Sequence, residues 1–113
     1  MDKTPTTPEL ALLAPTWSTA SDPTLRAAGA RLLGGIDTPE SRAILTGLVV
    51  DANWSTRCAA ILALGRAGDD SSLSHLIEVR RSREGTWADS NEVRAERKAL
   101  DRAIRKLRSR LER

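Results

Sequence analysis

Chemistry at neutral pH needs a nucleophile, a base or a metal ligand, and this sequence offers one histidine and one cysteine toward that need. His75 stands in Leu73-Ser74-His75-Leu76-Ile77, one step off an apolar face. A zinc site wants several His, Cys or carboxylate ligands at set spacings. A catalytic triad wants a nucleophile held by a base that is itself held by a carboxylate. The sequence proposes no such partner for His75. Cys58 lies in the apolar run Arg57-Cys58-Ala59-Ala60-Ile61-Leu62 and reads as a small buried hydrophobe, since a reactive thiol wants exposure and cationic neighbours. A single cysteine also excludes an intramolecular disulfide. No phosphate loop, dinucleotide fingerprint or zinc spacing is present. No catalytic residue, metal ligand or cofactor is assigned, and the chain is not expected to be an enzyme.

The arginines are the stronger lead. From Leu76 to Arg113 there are 12 Lys/Arg against 7 Asp/Glu, so the net charge of +3 is carried by the C-terminal third. Arg94, Lys98, Arg102 and Arg105 follow steps of four, four and three, which on a helix places them on one face. Arg80, Arg81 and Arg83 end the preceding segment. Like charges at i, i+4 cost a few tenths of a kcal/mol per pair. A stripe kept despite that cost is a candidate anion- or partner-binding face. The plain alternative is a solvated face, with Glu92, Glu96 and Asp101 interspersed and the cations favouring the helix C-terminus. Trp87 stands beside Gly85 in a polar stretch, as a contact residue or an anchor against the fold.

The elements that position these residues follow from a spacing of 31. Thr7-Pro8-Glu9 returns as Thr38-Pro39-Glu40, Asp22 as Asn53, Arg26 as Arg57, Leu33 as Leu64 and Gly34 as Gly65. A fixed period of this size marks stacked units that bury their apolar faces against one another. Capping residues and apolar periodicity predict six helices near 7–20, 23–34, 38–51, 54–66, 70–84 and 91–111. Leu25, Ala28, Leu32 and Leu33 form the expected inward stripe of the second. The fourth is apolar on nearly all sides, as a central helix would be. The fifth matches the third at an offset of 32 better than 31. Residues 84–90 break the period, and the sixth helix lacks the Leu-Gly step, as a polar terminal cap would. Residues 1–6 read as a disordered N-terminus, and 7–113 as one domain.

There is no Phe and no Tyr, so the core must be built from Leu, Ala, Ile and Val with the three tryptophans. That favours close helix packing over a sheet sandwich. Trp17 and Trp54 are expected to fill gaps left by small residues. The N-terminus has no charged-then-apolar leader, and no apolar run approaches the ~18–20 residues that cross a bilayer. A cytoplasmic protein without membrane contact is expected.

Asp22-Pro23-Thr24-Leu25-Arg26-Ala27-Ala28 with Leu33-Gly34, and Asn53-Trp54-Ser55-Thr56-Arg57-Cys58-Ala59 with Leu64-Gly65-Arg66-Ala67-Gly68-Asp69, resemble the HEAT repeat, most closely its short bacterial variety. The resemblance implies an all-α fold, a short right-handed α-solenoid of antiparallel helix pairs. It implies a protein-binding scaffold or adaptor, with end-to-end stacking of copies as a further possibility. It also implies that Arg26, Arg57 and Arg94 are structural, each bonding to a turn aspartate, with Asp51 at suitable spacing from Arg57. The second functional reading is binding of a nucleic-acid phosphate backbone through the basic last helix. It resembles the use of HEAT-like repeats by bacterial DNA-alkylation repair proteins, which cradle duplex DNA with longer arrays that carry catalytic and aromatic residues.

Overall fold

Four of the helices begin where a side chain satisfies an orphan N–H group. The computed structural model describes residues 14–83 and 91–112, and all regular structure among them is helical. Residues 14–18 form α1, followed by α2 (Pro23–Leu33), α3 (Pro39–Leu48), α4 (Trp54–Ala67), α5 (Asp70–Ser82) and α6 (Asn91–Leu111). Asp22, Thr38, Asn53 and Asp69 are the N-caps, accepting from the backbone N–H of Thr24, Ser41, Thr56 and Ser72. Pro23 and Pro39 occupy first-turn positions, where a missing N–H costs nothing. α2, α3 and α5 end one to three residues earlier than the periodicity predicts, α3 by three, where Val49 turns into the core as a C-cap, while α4 runs one residue further and α6 ends as expected. The expected start of the first helix at Thr7 and the expected disorder of residues 1–6 both lie outside the described residues.

The repeat is more regular than the sequence comparison suggested. The caps Thr38 and Asp69 are 31 residues apart, as are the buried pairs Ser41 and Ser72, Leu45 and Leu76, and Leu48 and Val79. Ser41 and Ser72 each bond to the cap three residues before them. The offset between α3 and α5 is therefore 31, not 32. The loop between the two units has gained no residue, and the capping position changes from Thr to Asp without moving.

α4 is the centre of the molecule. It packs against α2, α3 and α6, and α5 closes on α6. Ala59, Ala60, Ile61, Ala63, Leu64 and Ala67 are all buried, so α4 is covered on nearly every side. Small residues set the spacing. A Cβ on Gly65 would lie 3.1 Å from Cα and Cβ of Ala103, so α4 and α6 touch nearly backbone to backbone. A Cβ on Gly29 would lie 2.6 Å from the Ser18 nitrogen, so α1 is seated on α2 only because that position is empty.

Three packing expectations are corrected. Leu25 is exposed, and the buried face of α2 is Ala27, Gly29, Ala30 and Leu33, with Leu32 packed against the core beside it. Trp54, at the first turn of α4, is exposed rather than gap-filling, while Trp17 is half-buried. Cys58 is only half-buried, in contact with the edge of the core.

Candidate functional site

The periodic arginines are bound up in the scaffold. Arg26 donates from Nη1 to the carbonyls of Ala20 and Ser21 at 2.9 and 3.0 Å. Thirty-one residues later Arg57 donates from Nη1 to the carbonyls of Asp51 and Ala52 at 2.9 and 3.1 Å. Each thus ties the turn before its own helix. Each also takes a carboxylate from the following unit. Arg26 makes a bidentate pair with Asp51, Nε to Oδ1 and Nη2 to Oδ2, both at 3.0 Å. Asp51 also accepts from the N–H of Asn53 at 2.9 Å. Burial by itself raises the Asp51 pKa. The bonds from Arg26 and Asn53 and the charges of Arg26 and Arg57 outweigh it and hold the carboxyl below its ordinary value.

The spacing argument paired Asp51 with Arg57, and the structure corrects it. Asp51 serves the preceding arginine, and Arg57 takes only its backbone oxygen. The position one period after Asp51 is Ser82, which has no carboxylate to offer. Glu96 on α6 fills the gap. Its side chain is fully enclosed. Arg57 Nε and Nη2 each lie 3.0 Å from Oε1. Arg83 Nη1 lies 2.7 Å from Oε2, an ion pair that is off the hydrogen-bond direction. The sequence reading placed Glu96 on a solvated face and Arg83 among partner-binding residues. Both belong to a buried charge cluster that joins α4, α6 and the end of α5. Helical spacing alone could have flagged Glu96, since it precedes Ala99, Leu100 and Ala103 by three, four and seven residues on the apolar side of α6.

With Glu96 turned inward, the exposed surface of α6 is more cationic than its sequence. Arg94, Lys98, Arg102 and Arg105 are all exposed. They do not act as one stripe, because α6 stands as a ridge between two clefts. On one side, against α5, a cleft of about 710 Å³ has Ile77 and Ile104 at its base and Arg80, Arg81, Arg105 and Arg108 around it. Asp101 and Glu112 also line it, and Asp101 is paired with Arg80. On the other side, against α4, a cleft of about 250 Å³ is lined by Leu62, Gly65, Ala103 and the cations Arg66, Arg102 and Lys106. Arg105 and Arg102 therefore open to opposite sides. Arg66 was missed because it sits on a different helix, where nothing in the local pattern distinguishes it; it also donates to the Arg31 carbonyl at 3.2 Å.

Trp87 lies outside the described residues. His75 is half-buried on α5, its Nε2 enclosed without a hydrogen-bond partner among the described residues. Burial, then the neighbouring Glu96 charge, push the Cys58 thiol pKa up, with Arg57 offsetting part of this, which makes it a poor nucleophile. No cluster of three or more His, Cys, Asp or Glu able to hold a metal occurs among the described residues. No described helix is long and apolar enough to cross a membrane.

Comparison with known families matches residues 10–101 to the HEAT repeats. Comparison with curated proteins and with solved structures found no match.

Proposed function

The chain belongs to the HEAT-repeat family, and on that footing we propose that it is a non-catalytic interaction module that binds a protein partner through its last helix pair. Repeats of this family generally serve as protein-interaction scaffolds. The observation that carries the reading is a division of labour among the arginines. Arg26 and Arg57, with Asp51, are spent on holding successive units together. Arg81, Arg102 and Arg105, by contrast, are exposed around open clefts on α5 and α6. Recognition surfaces in repeat proteins lie on such faces, while the periodic residues maintain the stack.

The test is affinity capture from the native host, with light scattering of the purified chain. A stoichiometric protein complex is expected. A chain that retains no partner and stays monomeric at every concentration contradicts the proposal, since self-association is the other way an interaction module would show itself.

A second reading is favoured by one observation. The cleft between α4 and α6 has three cations and no carboxylate among its lining residues, the composition suited to phosphates. Binding of duplex or single strand there would weaken steeply with salt, and its absence at low salt excludes it.

A further inference from the structure

The cleft between α5 and α6 combines two features that select a ligand class. At its base are Ile77, half-buried, and Ile104, 7% exposed. Around them stand arginines in different states. Arg80 is fixed by Asp101. Arg81 is 72% exposed, and its 3.4 Å ion pair with an equally exposed Glu78 contributes little. Arg105 and Arg108 extend from the exposed side of α6. A ligand that fits must therefore be apolar where it meets the isoleucines and anionic on either side.

We infer that this cleft binds an acidic amphipathic helix of a partner protein, its aliphatic residues on Ile77 and Ile104 and its carboxylates on Arg81, Arg105 and Arg108. The inference rests on the interaction role proposed above and specifies its partner. A helix laid along a groove between two helices presents aliphatic side chains at i, i+3, i+4 and i+7. Flanking Glu and Asp then meet the arginines in a setting less hydrated than open surface, where charge complementarity fixes register and partner choice. A polynucleotide is disfavoured here. A phosphate backbone has no aliphatic surface to cover the isoleucines of this cleft.

The experiment is fluorescence anisotropy with the full chain at two salt concentrations. The probe is a labelled helical peptide of about 16 residues, roughly 24 Å long, with leucines at i, i+4 spacing and glutamates between them. Two comparison probes are the same peptide with serine for leucine, and a duplex of about 20 base pairs. The variants are Arg81→Glu with Arg105→Glu in this cleft, and Arg102→Glu with Lys106→Glu in the other, each checked for helix content and unfolding midpoint. The leucine peptide is expected to bind the parent chain. Binding should weaken about tenfold or more with the first pair and change by less than about threefold with the second, as charge complementarity at one site requires. The serine peptide should bind at least about tenfold more weakly than the leucine peptide, from loss of apolar burial. The inference is overturned if the leucine peptide does not bind, if serine and leucine peptides bind equally, if both variant pairs weaken binding alike, or if the duplex binds this cleft in preference to the peptide. The two proposals fail separately. A natural partner that binds the Arg81→Glu/Arg105→Glu chain undiminished removes the cleft and leaves the interaction role. The absence of any partner removes the role itself.

Discussion

Replacing Glu96 by glutamine tests the buried charge cluster with almost no change of shape. The substitution keeps an acceptor oxygen near Arg57 but removes the charge, leaving two guanidinium groups facing a neutral amide. Breaking a fully buried ion pair costs roughly 3–5 kcal/mol. Here Glu96 is enclosed, but the side chains of Arg57 and Arg83 are 18% and 32% exposed, so each keeps some hydration when its partner is neutralised. One hydrogen bond to Arg57 can also survive. These two effects bring the expected loss to about 2–3 kcal/mol, at or below the lower end of the figure for a fully buried pair. A chain of this size is stabilised by roughly 6–15 kcal/mol, and a urea slope of about 1–3 kcal/mol/M turns the loss into a fall in midpoint of about 0.7–3 M. Equilibrium urea unfolding followed by circular dichroism at pH 7 measures it. Glu96→Ala should cost more, since it removes the surviving hydrogen bond and leaves a cavity. A loss below about 0.5 kcal/mol for Glu96→Gln, the level of an ordinary surface change, refutes the reasoning, because it would mean that the carboxylate is hydrated and does not join α6 to α4.

Four further outcomes are expected. A double-mutant cycle of Arg26→Gln and Asp51→Asn should give a coupling of about 1–3 kcal/mol, because both side chains are largely buried and the pair is bidentate; urea unfolding of the four proteins measures it. Asp51 and Asp69 both have carboxyl pKa values held below the ordinary 3.8, so their stabilising contribution is complete above that value and is lost as pH falls through the depressed folded values. Stability should therefore drop on acidification below about pH 4, and Asp51→Asn should flatten that slope; unfolding midpoints between pH 7 and pH 2.5 show whether it does. Gly29→Ala should release α1 from α2, since the new methyl meets backbone atoms of Ser18 and Ala14; amide exchange at residues 14–18 should speed up while α4 stays protected. Arg81→Glu with Arg105→Glu should leave the unfolding free energy within about 0.5 kcal/mol of the parent, as exposed positions do, which separates recognition from scaffold; urea unfolding measures it.

Much of the fold was readable because the features that define it are local. Asp22, Thr38 and Asn53 announce helix starts by their own side-chain chemistry, and Leu45, Leu64 and Leu107 fall on apolar faces at helical spacing. What could not be read depends on distance through the stack. Which carboxylate answers Arg57 is decided by where α6 crosses α4, 39 residues further along the chain, and not by the turn that supplies Asp51 to Arg26. The inward turn of Glu96 overrides the usual preference of a charged residue for solvent, because two arginines are already waiting at that position. Leu25 falls outside the inward face of α2, which is made by Ala27, Gly29, Ala30 and Leu33. Likewise Arg102 and Arg105 look like neighbours on a helical wheel, yet the ridge of α6 sends them into separate clefts, and only the placement of α4 and α5 decides which.

The central claim is that the regularly spaced arginines hold the stack while recognition lies on the last helix pair. The most direct test is an amide-correlation NMR titration of the full chain with the acidic amphipathic peptide. The account predicts that shift changes concentrate between residues 77 and 81 and between 101 and 112, with Arg26, Asp51 and Arg57 unmoved. Changes centred on α2 and the start of α4, or spread evenly over the chain, would contradict it.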